Sequence, residues 1–217
     1  AMEACRVIRD HEVSGDPRPL FLMVSFYSPH DPYVMPAERL RPYLDCDDEP
    51  IDPAPQAPPS FAQERIKACR HEAVDQPTRR KARAAYRAKT QFVDELMGQV
   101  LRSWEQSPFH ENAVRIYTSD HGELLGEHGL WGKGSFHEAS VRVPMIFSAP
   151  DRLPEGARVA EPVGQVNLTP TILDLAGAPP LPNATGRSFL EALTSSSGPW
   201  PGPVLAEQGG RAPSRMV

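Results

Sequence analysis

The dipeptide Asp120-His121 has the residue types of a metal site. It follows residues 113–118, an apolar stretch with the pattern of a strand, after one intervening serine, and Gly122 after it allows the backbone to turn tightly. Ligands of α/β sheets bind beyond the carboxyl ends of the strands. Because the chain leaves its two-fold alternation there, both side chains can turn toward one ion, and carboxylate oxygen with imidazole nitrogen suits a divalent cation. The pair is therefore a candidate for a divalent-cation site.

A lysine and a histidine elsewhere in the sequence are candidates for binding an anion. Lys133 lies between Gly132 and Gly134, on a loop that can approach a ligand closely. His30 follows residues 20–27, an apolar run that predicts a strand. A metal ion and a lysine neutralise charge on an oxyanion, and a histidine can donate a proton to a departing oxygen. Together these groups suit an anionic ester with a poor leaving group.

Each of these features alone has an ordinary explanation. An Asp-His pair usually belongs to a surface loop, a histidine beside a proline is usually a loop residue, and a lone lysine is usually solvated. His128 and His137 are by default surface residues or supports of the site. The prediction of a site therefore depends on the ordered combination.

The order of the apolar stretches predicts an α/β fold with a largely parallel sheet between helices. The strands are nearly continuous in apolar residues, which is typical of strands buried on both faces. Residues 29–60 are dense in proline, so we expect a long loop there. The predicted elements are strands at 20–27, 113–118 and 143–148 and helices at 81–104 and 168–176.

The composition excludes several classes of protein. Of the 217 residues, 40% are hydrophobic and 24% are charged, as in a globular protein. The net charge of −5 argues against a nucleic-acid binder, so a basic cluster near residue 81 is expected to be a solvated helix start. The longest apolar run is too short to span a bilayer, and three cysteines without CxxC spacing exclude a disulfide scaffold or a zinc knuckle. The basic cluster consists of Arg79, Arg80, Lys81, Arg83, Arg87 and Lys89.

Residues 117–147 closely resemble the sulfatase family. The core of the resemblance is residues 118–134, with the sequence TSDHGELLGEHGLWGKG, and residues 141–146 follow with VRVPMI. Within the family, the chain is most similar to the bacterial arylsulfatase, choline-sulfatase and phosphonate monoester hydrolase branch of the alkaline phosphatase superfamily. The resemblance covers nearly the whole chain, and the motif from Asp-His-Gly to Gly-Lys is highly specific. Further matching segments are residues 28–33, 92–98, 169–177 and 186–189.

The resemblance implies a fold, a metal site and an anion site. The implied fold is alkaline-phosphatase-like, an incomplete α/β sandwich with a mostly parallel sheet between helices. Asp120 and His121 would be ligands of a divalent metal ion. Calcium is the family's usual ion, and the nitrogen of His121 leaves magnesium, manganese and zinc as alternatives. Lys133 would contact the sulfate or phosphonate oxygens and the leaving-group oxygen, and His30 would contact that same oxygen and assist its departure.

The chain departs from the family's pattern near its N-terminus. Family members carry there an Asp-Asp metal pair and a Cys-x-Pro-x-Arg or Ser-x-Pro-x-Arg signature, whose first residue becomes formylglycine, the nucleophile. Cys5 and Arg9 have that spacing without the proline, so Cys5 is interpreted as a helix residue. We therefore expect residues 1–194 to be a partial sulfatase catalytic domain and residues 195–217 to be a linker toward a missing C-terminal subdomain. Formylglycine is expected in the full-length parent but is not encoded here.

Two classes of function follow from these features. The first is part of a metal-dependent hydrolase of sulfuric esters, with phosphonate or phosphate ester hydrolysis as the alternative. The second is a catalytically inactive truncated half with a binding or structural role, which the missing nucleophile favours for this chain alone. The expected partner is a small anionic ester rather than nucleic acid or a membrane, and apolar surface along residues 20–26 predicts self-association or pairing with the missing N-terminal part. No signal peptide is visible, which slightly favours a cytoplasmic location.

Overall fold

The computed structural model describes residues 1–46, 74–194, 204–208 and 214–216. The chain divides into two compact units, the first formed by residues 1–111 and 121–142 and the second by residues 112–120 and 143–217. The predicted catalytic domain and linker, divided at residue 194, stay a prediction. Residues 47–60, the second part of the proline-dense stretch, lie outside the described residues.

Helices dominate the described part of the first unit. They are α1 (Met2–Ser14), α2 (Ala37–Leu44), α3 (Gln76–Glu105) and the short α4 (Glu138–Val141), with a 3-10 turn at Glu127–Gly129. Helix α1 ends where Gly15 adopts a left-handed φ of 64° and donates its N–H to the carbonyl oxygen of Glu12. Ala4 and Ile8 are the buried residues of α1, and Cys5 lies within the helix, as interpreted from the sequence.

Helix α3 is the longest element, and both α1 and α2 pack against it. Asp75 caps its N-terminus by accepting a hydrogen bond from the backbone N–H of Thr78 at 2.9 Å. Pro77 lies in the first turn, where a missing N–H removes no helical hydrogen bond. The helix predicted at residues 81–104 is therefore confirmed and begins five residues earlier. Its buried residues are Ala84, Ala85, Ala88 and Lys89.

Helix α2 contradicts the expectation that the proline-dense stretch is only a loop. Pro36 precedes the first helical residue, where its fixed φ is compatible with a helix start, while Pro42 inside the helix removes one hydrogen bond. The guanidinium of Arg39 compensates by pairing with both carboxylate oxygens of Glu95 on α3, at 2.9 and 3.0 Å. Packing on α3 therefore outweighs the local preference of a proline-rich sequence.

The apolar run at residues 20–27 is not a strand, so that prediction is wrong. Phe21, Met23 and Tyr27 are 74%, 80% and 73% exposed, and the residues that alternate with them are half-buried. A strand is defined by hydrogen bonds to a neighbouring strand, and none of the described strands pairs with this run. The sequence pattern predicts which residues would suit a buried strand but does not supply a partner.

Two antiparallel strand pairs lie in the second unit. Strands β1 (Arg115–Thr118) and β2 (Met145–Ser148) pair so that Tyr117 lies opposite Ile146. Strands β3 (Ala206–Gln208) and β4 (Ser214–Met216) form the other pair. The strands predicted at residues 113–118 and 143–148 are therefore present in shorter form. Every pairing among the described residues is antiparallel, so the predicted parallel character of the sheet is not confirmed.

In the described part of the second unit, the helices are α5 (Leu168–Leu175) and α6 (Leu190–Thr194), and a 3-10 turn at Gln165–Asn167 precedes α5. The buried Thr171 joins α5 to the segment before α6, because its hydroxyl donates to the carbonyl oxygen of Asn167 at 2.7 Å and accepts from the N–H of Phe189 at 3.1 Å. The ring of Phe189 packs perpendicular to Phe147 of β2, with centroids 5.5 Å apart. The helix predicted at residues 168–176 is confirmed. A further 3-10 turn lies at His110–Asn112.

In the described part of the chain, no helix combines the length and the apolar character needed to cross a bilayer.

Candidate functional site

The loop that carries His30 is held by backbone hydrogen bonds and by a buried lysine. The N–H of His30 donates to the carbonyl oxygen of Tyr27 at 3.2 Å, and the N–H of Val34 donates to that of Pro32 at 2.9 Å. Lys89 of α3 donates from Nζ to the carbonyl oxygens of His30 and Pro32, the latter at 3.0 Å. The loop is therefore fixed to the longest helix of its own unit.

The two ring nitrogens of His30 have different partners. Nδ1 lies 2.9 Å from both the carbonyl oxygen and the Oδ1 atom of Asp31. Nε2 contacts Nζ of Lys133, whose ammonium carries hydrogen-bond donors only. Nε2 must therefore accept, and the ring proton lies on Nδ1, where it is donated to Asp31. This arrangement orients the ring toward Lys133.

The loop around Lys133 has a defined backbone. Gly132 and Gly134 have φ values of 75° and 84°, in the left-handed region that favours glycine. The carbonyl oxygen of Gly132 accepts a hydrogen bond from the N–H of Leu124 at 2.9 Å. Leu124 and Leu130 are fully buried and pack against each other. Lys133 thus lies on a loop supported by a small apolar core.

A carboxylate links the Lys133 loop to the His30 loop. Oε1 of Glu123 accepts hydrogen bonds from the N–H of Gly132 at 2.6 Å and from the N–H of Leu125 at 3.3 Å. The phenol of Tyr33, three residues after His30, lies near the same carboxylate. Burial, followed by the negative charge of Glu123, raises the pKa of the Tyr33 phenol, which therefore stays protonated.

His121 lies close to this arrangement. Its ring is edge-on to the ring of His30, with centroids 6.0 Å apart. Nδ1 of His121 lies 2.7 Å from the carbonyl oxygen of Gly122, which can only accept, so Nδ1 carries the proton and Nε2 carries the lone pair. An imidazole in this tautomer can bind a metal ion through Nε2.

Asp120 belongs to the second unit and His121 to the first. The carbonyl oxygen of Asp120 accepts a hydrogen bond from Nε2 of Gln165 at 3.0 Å. This bond joins the segment that follows β1 to another residue of the second unit. The convergence of the Asp120 and His121 side chains on one ion stays a prediction.

The donor set offered to a metal ion is small. Within the described ranges, no group of three or more His, Cys, Asp or Glu side chains is arranged to hold an ion. Asp120 and His121 provide one carboxylate and one imidazole nitrogen, which fit a divalent cation by type but do not complete its coordination.

The basic cluster on α3 is not a uniformly solvated face. Lys89 is only 6% exposed, and Nε of Arg83 donates to the carbonyl oxygen of Leu125 at 2.9 Å. The expectation of a solvated helix start is therefore wrong for these two residues, because α3 turns this side toward the two loops of its unit.

Sequence analysis does not propose a role in the site for three residues of this arrangement, Tyr33, Lys89 and Glu123. Tyr33 and Glu123 lie inside segments that carry the family resemblance, which is the one signal that could have found them. Lys89 has no such signal, since nothing local distinguishes it from the exposed basic residues before it. The proposed site residues His30 and Lys133 are brought into contact, as the anion-site hypothesis requires.

The amino-acid sequence of this chain is similar to known proteins of one family. The family model described as Sulfatase matches residues 9–178. The chain is 35% identical over 167 residues to the choline-sulfatase of Rhizobium meliloti (strain 1021), with 74% of this chain and 32% of that protein covered.

Two solved structures are similar to this fold. One is the phosphonate monoester hydrolase of Agrobacterium radiobacter, with a TM-score of 0.79 and 22% identity over 98% of this chain and 45% of that chain. The other is a protein in complex with its substrate D-glucosamine-2-N,6-O-disulfate, with a TM-score of 0.58 and 25% identity over 70% of this chain and 32% of that chain. The chain thus spans between about a third and under half of the length of these relatives. The fold is alkaline-phosphatase-like.

Proposed function

The chain belongs to the sulfatase family, and we propose that it forms part of a metal-dependent hydrolase of sulfuric esters. The observation that carries the proposal is the contact between Lys133 and His30, which lie 103 residues apart in the sequence. An ammonium beside an imidazole nitrogen gives an anionic ester two groups to bind at one point. The match to choline-sulfatase favours a sulfuric ester as that anion.

Lys133 and His30 have different roles in the proposed reaction. A sulfate oxygen accepts hydrogen bonds from Nζ of Lys133, which stabilises the charge that develops on the ester. Protonated His30 donates the proton on Nε2 to the leaving-group oxygen as the S–O bond breaks. The ring then returns to the tautomer in which Nδ1–H is held by Asp31. Residues 1–27, which precede the His30 loop, contain neither Cys-x-Pro-x-Arg nor Ser-x-Pro-x-Arg. The segment Ser148-Ala149-Pro150-Asp151-Arg152 has the second pattern but begins at the last residue of β2, and no role as nucleophile is assigned to it.

Sulfatases depend in general on a divalent metal ion and on formylglycine. We propose Asp120 and His121 as the residues of this chain that hold the ion, which when bound supplies positive charge near the ester oxygens. Calcium is the proposed ion, with magnesium, manganese and zinc as alternatives. With two ligands from this chain, we expect the ion to be held weakly.

Titration with inorganic sulfate tests the anion site without requiring turnover. We expect the wild-type chain to bind sulfate and Lys133→Ala to weaken binding about 10-fold or more, because a charge-assisted hydrogen bond is lost. Lys81→Ala is the matched control, since Lys81 is exposed on α3. Calorimetry that finds the same affinity for wild type and Lys133→Ala would contradict the assignment. In a full-length parent, Lys133→Ala should lower kcat by roughly 10²-fold.

Turnover assays separate the candidate functions. This chain alone is expected not to hydrolyse 4-nitrophenyl sulfate or a phosphonate ester at an enzymatic rate, because a positioned nucleophile is required. Binding of sulfate without turnover would support an inactive half with a binding role. Phosphonate or phosphate ester hydrolysis is the second candidate, because the contacts of Lys133 and His30 suit phosphonate oxygens equally well, and a parent enzyme faster on phosphonate esters would favour it.

The proposed partner is a small anionic ester. A similar protein has D-glucosamine-2-N,6-O-disulfate as its substrate, which supports a sulfated small molecule as the class of ligand. Self-association, or pairing with a separate N-terminal part, through the apolar run at residues 20–27 is also part of the proposal. The cytoplasmic location stays a prediction.

A further inference from the structure

Lys89 is a buried lysine that the proposed reaction does not use. It lies on α3 beside the buried Ala84, Ala85 and Ala88, and only 6% of its surface is exposed. Burial lowers the pKa of the Lys89 ammonium, and the negative charge of Asp31 acts in the opposite direction. A leucine or methionine would fill this place in a helix interface without that desolvation cost. Some interaction of the ammonium must therefore offset the cost of burying it.

The hydrogen bonds of Lys89 to the His30 loop are the interaction that offsets this cost. Its Nζ donates to the carbonyl oxygen of His30 and to that of Pro32, at 3.0 Å for Pro32. The N–H of His30 is held separately by the carbonyl oxygen of Tyr27 at 3.2 Å. Both backbone polar groups of His30 thus have fixed partners. The orientation of the two peptide planes around a Cα atom determines the direction of its Cα–Cβ bond. These hydrogen bonds therefore fix the direction in which the side chain of His30 leaves the backbone.

We propose that Lys89 is a positioning residue that fixes the His30 loop to α3, so that Nε2 of His30 meets Lys133. This inference rests on the proposed anion-binding role of His30 and Lys133. We assign Lys89 no contact with the anion, since its two hydrogen bonds go to carbonyl oxygens of the loop backbone. It acts by limiting the directions that the imidazole of His30 can take.

Amide hydrogen exchange measured by NMR on the intact chain tests this proposal. The variants are Lys89→Met, which keeps the length and removes the donors, and Lys89→Arg, which keeps a charged donor. Lys81→Met is the matched control on an exposed position of the same helix. In Lys89→Met, the amides of His30 and Val34 should exchange about 10-fold faster or more, as expected when a charge-assisted hydrogen bond is lost.

Other amides and a ring signature distinguish positioning from general stability. The amide of Leu124, which is hydrogen-bonded to the carbonyl oxygen of Gly132, should keep its exchange rate in Lys89→Met. The ¹⁵N signals of His30 should show a single Nδ1–H tautomer in wild type and a mixture of tautomers in Lys89→Met. Lys89→Arg should restore slow exchange and the single tautomer at least in part.

Three results would overturn the proposal. They are unchanged exchange at His30 and Val34, an equal acceleration at Leu124, or an unchanged ring signature in Lys89→Met. If Lys89→Met does not fold, Lys89→Leu, which also removes the donors, is measured against the same criteria. Inorganic sulfate titrated into the same variants reports separately on the proposed function. If wild type fails to bind sulfate, the anion site is wrong, whereas the exchange data still decide whether Lys89 positions the loop.

Discussion

The two ring nitrogens of His30 have different functions in the proposed site: Nδ1 orients the ring, and Nε2 faces Lys133. Nδ1–H is donated to Asp31, and Nε2 is directed at Lys133. A neutral ring in this state accepts a hydrogen bond at Nε2, so acid catalysis requires a second proton at that atom. In the proposed reaction, the observed tautomer is therefore the form of the ring that remains after Nε2 has donated its proton to the leaving group.

Removing the phenol of Tyr33 should loosen the link between the two loops. In Tyr33→Phe, Glu123 keeps the N–H groups of Gly132 and Leu125, so we expect folding to persist with a loss of about 1–2 kcal/mol in the free energy of unfolding. Sulfate binding should weaken as well, because the interaction of the Tyr33 phenol with Glu123, one of the contacts between the His30 and Lys133 loops, is lost.

Tyr43→Phe is the matched control for that variant. It removes the hydrogen bond from the Tyr43 hydroxyl to Oε1 of Gln91, 2.8 Å long, which joins α2 to α3 and does not involve Glu123. Urea unfolding and sulfate calorimetry on both variants give the comparison. If Tyr43→Phe lowered sulfate affinity as much as Tyr33→Phe, the link through Glu123 would have no specific role.

His137 should make stability depend on pH. Its ring stacks on His128 with centroids 4.0 Å apart, and burial, then the charge of His128, lowers the pKa of His137 against a smaller opposite effect of Glu127. The folded chain therefore binds this proton less tightly than the unfolded chain. Stability from this residue is present above the ordinary histidine pKa of about 6.5 and is lost as the pH falls below it.

The test of that dependence is urea unfolding of wild type and His137→Phe at about pH 7.5 and about pH 5.5, on either side of the ordinary histidine pKa. Wild type should lose more unfolding free energy on acidification than the variant, because phenylalanine keeps the stacked ring without a titrating nitrogen. Equal losses in the two proteins would show that other groups carry the pH dependence.

At the scale of elements, the turn after Asp120 depends on a close approach to the segment of α4. A Cβ atom on Gly122 would lie 2.0 Å from the carbonyl oxygen of Ala139, and the Gly122 N–H donates to the carbonyl oxygen of Ser140 at 2.9 Å. Neither group can move without displacing backbone, so this position requires glycine. The turn that carries His121 is thereby set by packing rather than by a preference for positive φ.

Gly122→Ala should destabilise the chain by about 1–3 kcal/mol, the cost of forcing extra volume into a packed site. Gly98→Ala is the contrasting variant, because the nearest atom to a Cβ there belongs to the flexible side chain of Arg102. In a helix interior alanine is favoured over glycine, so Gly98→Ala should stabilise by about 0.5–1 kcal/mol. Opposite shifts of the urea midpoint are the expected outcome. A neutral Gly122→Ala would mean that the approach of Ala139 relaxes.

At the scale of the whole molecule, apolar side chains remain exposed along residues 20–27. Phe21 and Met23 are 74% and 80% exposed, and none of the described strands pairs with this run. Exposed apolar segments of this kind favour association with another chain. We therefore expect the purified chain to self-associate in a concentration-dependent way.

Size-exclusion chromatography with light scattering measures that association. The double variant Phe21→Ser/Met23→Ser should shift the population toward monomer, because it removes exposed apolar surface from the run. Met2→Ser/Val13→Ser is the matched control, since these residues of α1 are 85% and 80% exposed but lie outside the run. A wild-type chain that stays monomeric at high concentration would refute the prediction.

Local pattern was sufficient for several features of this protein. Residues 81–104 have a helical stripe, and the apolar stretches before Asp120 and at residues 143–148 have the pattern of strands, so the elements α3, β1 and β2 are predictable from neighbouring residues. The motif from Asp120 to Lys133 also identifies the family, because its residue types and spacing are specific. These properties depend on residues close together in the chain.

Tertiary structure decided the remaining features, because each depends on groups far apart in sequence. Helix α2 persists beside Pro42 since Arg39 pairs with Glu95, and Lys89 is buried since α3 faces the His30 loop. The direction of strand pairing depends likewise on two strands together, and so does the fact that no described strand pairs with residues 20–27. A sequence pattern indicates which side chains of a segment are suited to burial. Only the folded chain determines which other groups lie against those side chains and cover them.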